Sequence, residues 1–253
     1  MKRIRTTLAV SDLVKSDTST GLPVVREYPK NASIVFTADR RISNAKTGSY
    51  IATHKKIFEL PWLKAAIGYF GLAEVPLRGK NRPMQDWLQA FIRQNFSSSS
   101  MADFSQKLGS DLNKVVPMQW HRKSPSGFHI AGFTDLGKPE FWFVRNVDDA
   151  GNPTLGQYET REEFQRRDVL RLKDNETQIY RNGDIRAHIA VWEKIDDSFG
   201  LLLNLNGFSK VRHSKDYKEW VRFKMETIVY FYKKYQRQPI IARPIDVILI
   251  QCQ

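Results

Sequence analysis

The chain has 253 residues, a formal net charge of +13 and 41% hydrophobic residues, a composition that supplies a sizeable core and excludes wholesale disorder. Its single cysteine, Cys252, excludes an intrachain disulfide and a cysteine-based zinc site. The basic N-terminal segment lacks the apolar stretch of a secretory signal, and no apolar run has the length of a membrane span. We therefore expect a soluble, cytoplasmic protein that does not associate with membranes.

Strands are predicted for most of the first third of the chain. Residues 5–10 alternate small and apolar side chains, which is typical of a strand. Residues 12–31 are polar and rich in turn-forming residues, and we interpret them as a hairpin insertion. Further strands are predicted from Ile34, over residues 55–58, and over residues 65–67 up to a glycine turn. A polar loop is predicted between the first two of these three.

Two helices are predicted next. Residues 77–83 form a basic loop, and Pro83 begins a helix whose apolar residues recur at helical spacing. The four serines at residues 97–100 connect this helix to a second one and are expected to cap it, and the second helix ends before Pro117.

The second half of the chain returns to strands and then to helices. Residues 128–133 and 141–144 are predicted to pair as a hairpin. Apolar residues at helical spacing predict helices over residues 184–203 and 216–237. Residues 244–250 form a near-continuous apolar run, as expected for a strand buried on both faces. This order suits an α+β domain in which two sheets carry helices on their outer faces.

Five short stretches carry a pattern that extends over the start, middle and end of the chain. They read A-D-R-R at residues 38–41, K-K-I-F at 55–58, A-I-G-x-x-G at 66–71, FHIAGF at 128–133 and ARPIDVILI at 242–250. Together they resemble the proteasome β-type subunits and their bacterial proteasome-like relatives, which are N-terminal-nucleophile (Ntn) hydrolases. The resemblance implies that the whole chain forms one four-layer αββα sandwich of two antiparallel sheets.

The resemblance also implies a catalytic set. In this family a threonine hydroxyl is the nucleophile and its own α-amine is the base, because an α-amine has a pKa near neutrality. Carried over to this sequence, Thr6 is the nucleophile, Asp39 the acidic partner and Lys56 the catalytic lysine. Gly68 is the oxyanion glycine, and Arg41 is a supporting basic residue. No cofactor or metal is implied, and the five histidines show no paired metal spacing.

Taken one at a time, these residues also fit ordinary structural roles. Asp39 with Arg41 suits a surface ion pair, Lys56 an exposed strand edge, and Gly68 a turn. Their occurrence together in the family order favours the functional interpretation. Thr6 is preceded by five residues, so the mechanism requires that Met1–Arg5 be removed.

Two other functions remain open at this point. The first is a catalytically inactive proteasome-like subunit that acts through self-assembly. For either proteasome-like reading we expect a homo-oligomer, as a ring or spiral, with a peptide or protein substrate if active and an unfoldase as a candidate partner. The second is nucleic-acid binding, suggested by the net charge and favoured least because the basic residues are spread along the chain. Its candidate residues are Arg78, Lys80, Arg82, Tyr232, Lys233, Lys234, Tyr235 and Arg237.

Overall fold

The computed structural model describes residues 4–6, 8–14, 32–44, 47–77, 80–121, 125–148, 159–168, 179–182, 191–202, 214–235 and 241–252. Within these residues the chain is α+β, and every strand pair is antiparallel. Most of the predicted hairpin insertion at 12–31 lies outside them. In the described part, no helix is both long and apolar enough to cross a membrane.

The strands and helices are numbered in chain order. The strands are β1 Ile4–Thr6, β2 Leu8–Val14, β3 Ser33–Asp39, β4 Arg41–Asn44, β5 Tyr50–Thr53, β6 Ile57–Leu60, β7 Ala65–Phe70, β8 Glu74–Leu77, β9 Lys80–Pro83, β10 Gly127–Phe133, β11 Pro139–Asp148, β12 Glu159–Asp168, β13 Ile179–Asn182 and β14 Ile245–Gln251. The helices are α1 Met84–Gln94, α2 Met101–Val115, the single turn α3 Met118–His121, α4 Glu193–Leu202 and α5 Ser214–Tyr235.

Two larger sheets organise the described chain. One has the strand order β13-β2-β3-β14 and the other the order β12-β11-β10-β7-β6. A three-stranded sheet, β1-β4-β5, and the hairpin β8-β9 complete the set. Strand β3 is buried along its whole length, because it pairs with β2 on one side and β14 on the other.

Three hydrophobic clusters hold these elements together. The first lies between helices α1 and α2 and the five-stranded sheet. The second joins the two larger sheets and includes Ile34, Phe36 and Ile248. The third packs α5 on the four-stranded sheet and includes Val35. Because successive residues of a strand face opposite ways, Ile34 and Phe36 enter the second cluster while Val35 enters the third. Strand β3 is therefore buried on both faces.

The two helices predicted between Pro83 and Pro117, the helix predicted over 216–237 and the middle hairpin are confirmed. Pro83 is the N-cap of α1, and the Ser100 hydroxyl caps α2 by accepting a hydrogen bond from the Asp103 N–H at 3.0 Å. Strands β10 and β11 pair in register along the predicted hairpin. Helix α5 matches the predicted helix within two residues at either end. Of the helix predicted over 184–203, residues 184–190 and 203 lie outside the described part, and α4 occupies residues 193–202.

Several strand predictions are wrong in detail. The single strand predicted over 5–10 is two strands, β1 and β2, which belong to different sheets. The polar loop predicted before residue 55 contains most of the strand pair β4–β5, and the basic loop predicted over 77–83 contains β9, which pairs with β8. Each of these strands has only four residues, too few to show clearly the alternation that marks a half-buried strand. The final strand, β14, is an edge strand, and most of its residues are therefore half-buried.

Candidate active site

Asp39 and Lys56 lie at the ends of strands that belong to different sheets. Asp39 is the last residue of β3, and Lys56 immediately precedes β6, so it lies outside the strand that was predicted to include it. The Lys56 carbonyl accepts a hydrogen bond from the Tyr69 N–H at 3.1 Å, which fixes the Lys56 backbone against β7. The two side chains therefore meet where the two larger sheets come together.

The contact between the two charges is direct and fully buried. Lys56 Nζ lies 2.8 Å from Asp39 Oδ1, and both side chains are 0% exposed. The second carboxylate oxygen, Asp39 Oδ2, accepts hydrogen bonds from the Arg41 N–H at 3.0 Å and the Ala242 N–H at 3.5 Å. A buried ion pair is tolerated only when its geometry and remaining hydrogen bonds compensate for lost hydration. Here the backbone around Asp39 supplies that compensation.

Burial shifts the acid–base behaviour of both partners. It raises the pKa of Asp39, and this is opposed by the Lys56 charge and by the hydrogen bonds to the carboxylate. It lowers the pKa of Lys56, and this is opposed by Asp39 and, more weakly, by Asp246. The two pKa values therefore move towards each other. A lysine with a lowered pKa next to a specific carboxylate is a feature of functional sites, although structural ion pairs share it.

Arg41 supports Asp39 through its backbone. Its guanidinium points away along the small sheet, where Nε donates to Ser43 Oγ at 2.9 Å and the group lies over the Tyr50 ring at 5.2 Å. The hydrogen bond from Arg41 to the Asp39 carboxylate comes from the backbone N–H. The guanidinium of Arg41 therefore stabilises the β4–β5 sheet, and its backbone N–H stabilises the Asp39 carboxylate.

A second ion pair beside the site was missed at the sequence level. Arg40 and Asp246 form a bidentate pair, with Nε–Oδ2 at 2.8 Å and Nη2–Oδ1 at 2.6 Å. Asp246 lies opposite Ala38 in the β3–β14 ladder, so Arg40, two residues further on, is its diagonal neighbour. The available signal was a single carboxylate within the apolar run 244–250, which is costly in a buried strand unless it is paired.

Thr6 is placed near this region by its backbone. In the antiparallel pairing of β1 with β4, Thr6 lies opposite Ile42, the residue after Arg41. Strand β1 also lies close to β7, the strand that contains Gly68. Residues 4 and 5 belong to the same strand as Thr6, and Arg5 lies opposite Ser43. The Arg5–Thr6 peptide bond is therefore inside a paired strand.

Gly68 lies inside a strand, and its prediction as a turn residue is wrong. It is the fourth residue of β7, between Ile57 of β6 and His129 of β10, whereas the chain turns at Gly71, which has φ 90°. The Tyr69 N–H points to β6, because it donates to the Lys56 carbonyl. Successive N–H groups of a strand point to opposite sides, so the Gly68 N–H points to β10. Gly68 and His129 are thus a hydrogen-bonded pair of the ladder.

The described residues contain no group of three or more His, Cys, Asp or Glu side chains placed to share a metal ion. His129 is fully buried among Phe70, Phe141 and Phe143. Burial lowers its pKa well below the usual value, and Arg145 lowers it further. His129 is therefore a neutral side chain of the core.

Comparison with known proteins supports the fold. No family model matches the chain. A UPF0182 protein of Alkaliphilus metalliredigens is 27% identical over an alignment of 185 residues that covers 59% of this chain, and the chain spans only 20% of that protein. The solved structure of Anbu (ancestral beta-subunit) from Yersinia bercovieri superposes with a TM-score of 0.52 at 10% sequence identity, over 96% of this chain and 82% of that one. The chain therefore shares its overall fold with this ancestral β-subunit.

Proposed function

We propose that this protein is a threonine-type Ntn hydrolase that cleaves peptide or amide bonds once the Arg5–Thr6 bond has been cut. The observation that carries this proposal is the fully buried contact between Lys56 and Asp39. Activation of a terminal threonine requires a buried charge pair of this kind close to the threonine. Strand β1, which contains Thr6, contacts β4 and β7, the strands next to Asp39 and Lys56. The stacking of helices on two sheets in three clusters further supports the four-layer αββα sandwich.

The proposed reaction has two steps. The freed Thr6 amine takes the proton of the Thr6 hydroxyl while Oγ attacks the substrate carbonyl, and the leaving amine departs with a proton, which leaves an ester on Thr6. Water then attacks this ester, the amine again accepts the proton, and the acid product leaves. Lys56 lowers the pKa of the Thr6 amine through its positive charge, and Asp39 holds Lys56 in place.

A second candidate is a catalytically inactive subunit that acts through self-assembly as a ring or spiral. Two backbone observations favour it. The Gly68 N–H is directed to His129 in the β10 ladder, so an oxyanion role for Gly68 requires this bond to be given up. In addition, residues 4–6 pair with β4 as one strand, and cleavage before Thr6 would divide that strand.

The two candidates differ in the N-terminus of the purified protein. We would measure the intact mass of the full-length product, sequence its N-terminus and assay hydrolysis of fluorogenic peptides. Hydrolase function predicts a chain that begins at Thr6 and loses activity in Thr6→Ala. Thr7→Ala is the matched control, because it removes the same hydroxyl one residue later. A chain that keeps Met1–Arg5 and hydrolyses no peptide would exclude the hydrolase and leave the assembly subunit.

A further inference from the structure

Asp246 lies near the start of β14, where this strand runs beside the end of β3 and the proposed active site. The Arg40 guanidinium binds both of its carboxylate oxygens, at 2.8 and 2.6 Å. The Arg40 N–H also donates to the Pro244 carbonyl at 3.0 Å, so Arg40 fixes this segment through its side chain and its backbone. Two residues before Pro244, the Ala242 N–H donates to Asp39 Oδ2 at 3.5 Å. The segment that leads into β14 therefore contacts the Asp39 carboxylate directly.

Strand pairing alone does not require the ion pair between Arg40 and Asp246. Strands β3 and β14 are already paired without a break from one end of each strand to the other. The Arg40 and Asp246 side chains are 36% and 15% exposed, and an ion pair with this much exposure contributes little to stability. Its position beside the buried pair is therefore the feature that needs a reason.

Asp39 and Asp246 both act on Lys56, but in different ways. Burial lowers the pKa of Lys56, Asp39 opposes this by direct contact at 2.8 Å, and Asp246 opposes it through its charge alone. Because Arg40 binds both oxygens of Asp246, this carboxylate does not compete with Asp39 for Lys56 Nζ. His54, two residues before Lys56, is a further titratable neighbour of the lysine.

We propose that Asp246 and Arg40 are positioning residues for the Asp39–Lys56 pair: Asp246 supplies a second negative charge that keeps Lys56 protonated, and Arg40 holds that charge in place. This role deepens the proposed hydrolase function and rests on it, because a charged Lys56 is what activates the Thr6 amine. Both residues act through Lys56 and not on the substrate.

Opposite responses of Lys56 to two neutralising substitutions test this role. Asp246→Asn removes the negative charge and leaves the Arg40 cation unbalanced, so Lys56 should lose its proton at a lower pH than in the parent protein. Arg40→Gln removes the cation and leaves Asp246 unbalanced, so Lys56 should lose its proton at a higher pH. An ion pair that only holds two strands together would be broken by either substitution and would shift Lys56 in one direction.

The titration of Lys56 would be followed by NMR of the full chain with lysine-selective ¹³C and ¹⁵N labelling, and Lys56→Met identifies the signal. Arg40→Lys keeps the charge and should titrate as the parent does. Glu226→Gln is the matched control, because Glu226 pairs with Arg243 in the same segment at 2.7 Å, and its loss should leave Lys56 unchanged. Each neutralising variant is decisive alone, since each has its own expected direction. No shift, or shifts in the same direction, in Asp246→Asn and Arg40→Gln would overturn the proposal.

Peptide hydrolysis separates this proposal from the hydrolase function. In an active parent, the alkaline limb of the kcat/KM profile should move to lower pH in Asp246→Asn and to higher pH in Arg40→Gln, following Lys56. A parent without activity in which Lys56 responds as expected would contradict the hydrolase function, while the action of Asp246 on Lys56 stands. An active parent whose pH profile and Lys56 titration ignore both substitutions would contradict the positioning role alone.

Discussion

Lys56 Nζ lies 2.8 Å from Asp39 Oδ1, and neither side chain has any exposed surface, although the two residues are 17 positions apart and end on different sheets. This contact joins the fold to the proposed function. It lies where β3 ends and β6 begins. The neighbouring residues Ala38 and Ile57 both belong to the hydrophobic cluster between the two larger sheets. Any change to one partner alone leaves the other charge buried within the protein.

The energetic coupling of this pair can be measured. Lys56→Met should lower the free energy of unfolding by about 3–5 kcal/mol, because it leaves the Asp39 carboxylate buried without its cation. Asp39→Asn combined with Lys56→Met removes both charges and should be more stable than the sum of the two single changes predicts. Urea denaturation of the four proteins gives the coupling energy. Strictly additive effects would mean that the pair is not coupled as its geometry requires.

Gly71 and Gly109 form a matched pair of glycine positions. Gly71 has φ +90°, and a methyl group there would meet the Pro125 carbonyl oxygen and Ser126 at distances that no Cβ tolerates. Gly71→Ala should therefore cost roughly 2–5 kcal/mol through backbone strain and overpacking. Gly109 lies inside α2, and its nearest neighbour, Val144 Cγ1, would be at 3.5 Å. Gly109→Ala should stabilise the protein by roughly 0.5–1 kcal/mol.

Chemical denaturation of both variants checks this contrast. Equal effects of the two substitutions would contradict the placement of Gly71 at the turn between β7 and β8. The Ser126 hydroxyl, which accepts from the Leu72 N–H at 3.0 Å, is held against the same turn. Destabilisation of Gly71→Ala would therefore support the close packing of this turn against Pro125 and Ser126.

Sequence patterns were sufficient for the elements with strong apolar periodicity. Helices α1, α2 and α5 and the β10–β11 hairpin follow from residue spacing, because each has a clear buried face. The order of Asp39, Lys56 and Gly68 along the chain was available from the family resemblance. The burial of Lys56 was not, because a lysine at a strand end is normally exposed. Its burial depends on how two separate sheets meet.

Other features depend on contacts between distant parts of the chain. Arg40 and Asp246 are 206 residues apart, and their pairing follows from the β3–β14 register. The direction of the Gly68 N–H likewise follows from the registers of β6 and β10 against β7. Residue spacing in one sequence contains no information on such registers.

His129 should make stability depend on pH. Burial holds its pKa in the folded chain well below 6.5, so between these values the unfolded chain binds a proton that the folded chain does not. The part of the unfolding free energy that depends on His129 is therefore fully present above about pH 6.5. It falls as the pH is lowered, by at most about 1.4 kcal/mol per pH unit. His129→Leu should flatten this part of the profile. The half-buried His54, whose pKa is also lowered by burial, gives the comparison: His54→Gln should flatten it less.

Unfolding free energies at pH 5.0 and 7.0 for the parent and both variants provide the measurement. Because each protein is compared with itself at two pH values, any constant loss from the substitution cancels. An unchanged slope in His129→Leu would mean that another group governs the acid sensitivity.

The Gly68 amide offers a direct choice between the two proposed functions. Its N–H is directed to His129 within a central, buried strand, so it should exchange with solvent at least a thousandfold more slowly than the Gly48 N–H, which closes an exposed turn on Asn44. The chain has 14 glycines, so glycine-selective ¹⁵N labelling gives a spectrum in which both signals can be followed by hydrogen exchange.

A protected Gly68 amide means that the ladder is closed, and it favours the inactive subunit, since an oxyanion donor must be open to substrate. Exchange as fast as that of Gly48 would contradict the closed ladder and favour the hydrolase. In that case a covalent threonine inhibitor should slow the Gly68 exchange and leave that of Gly48 unchanged.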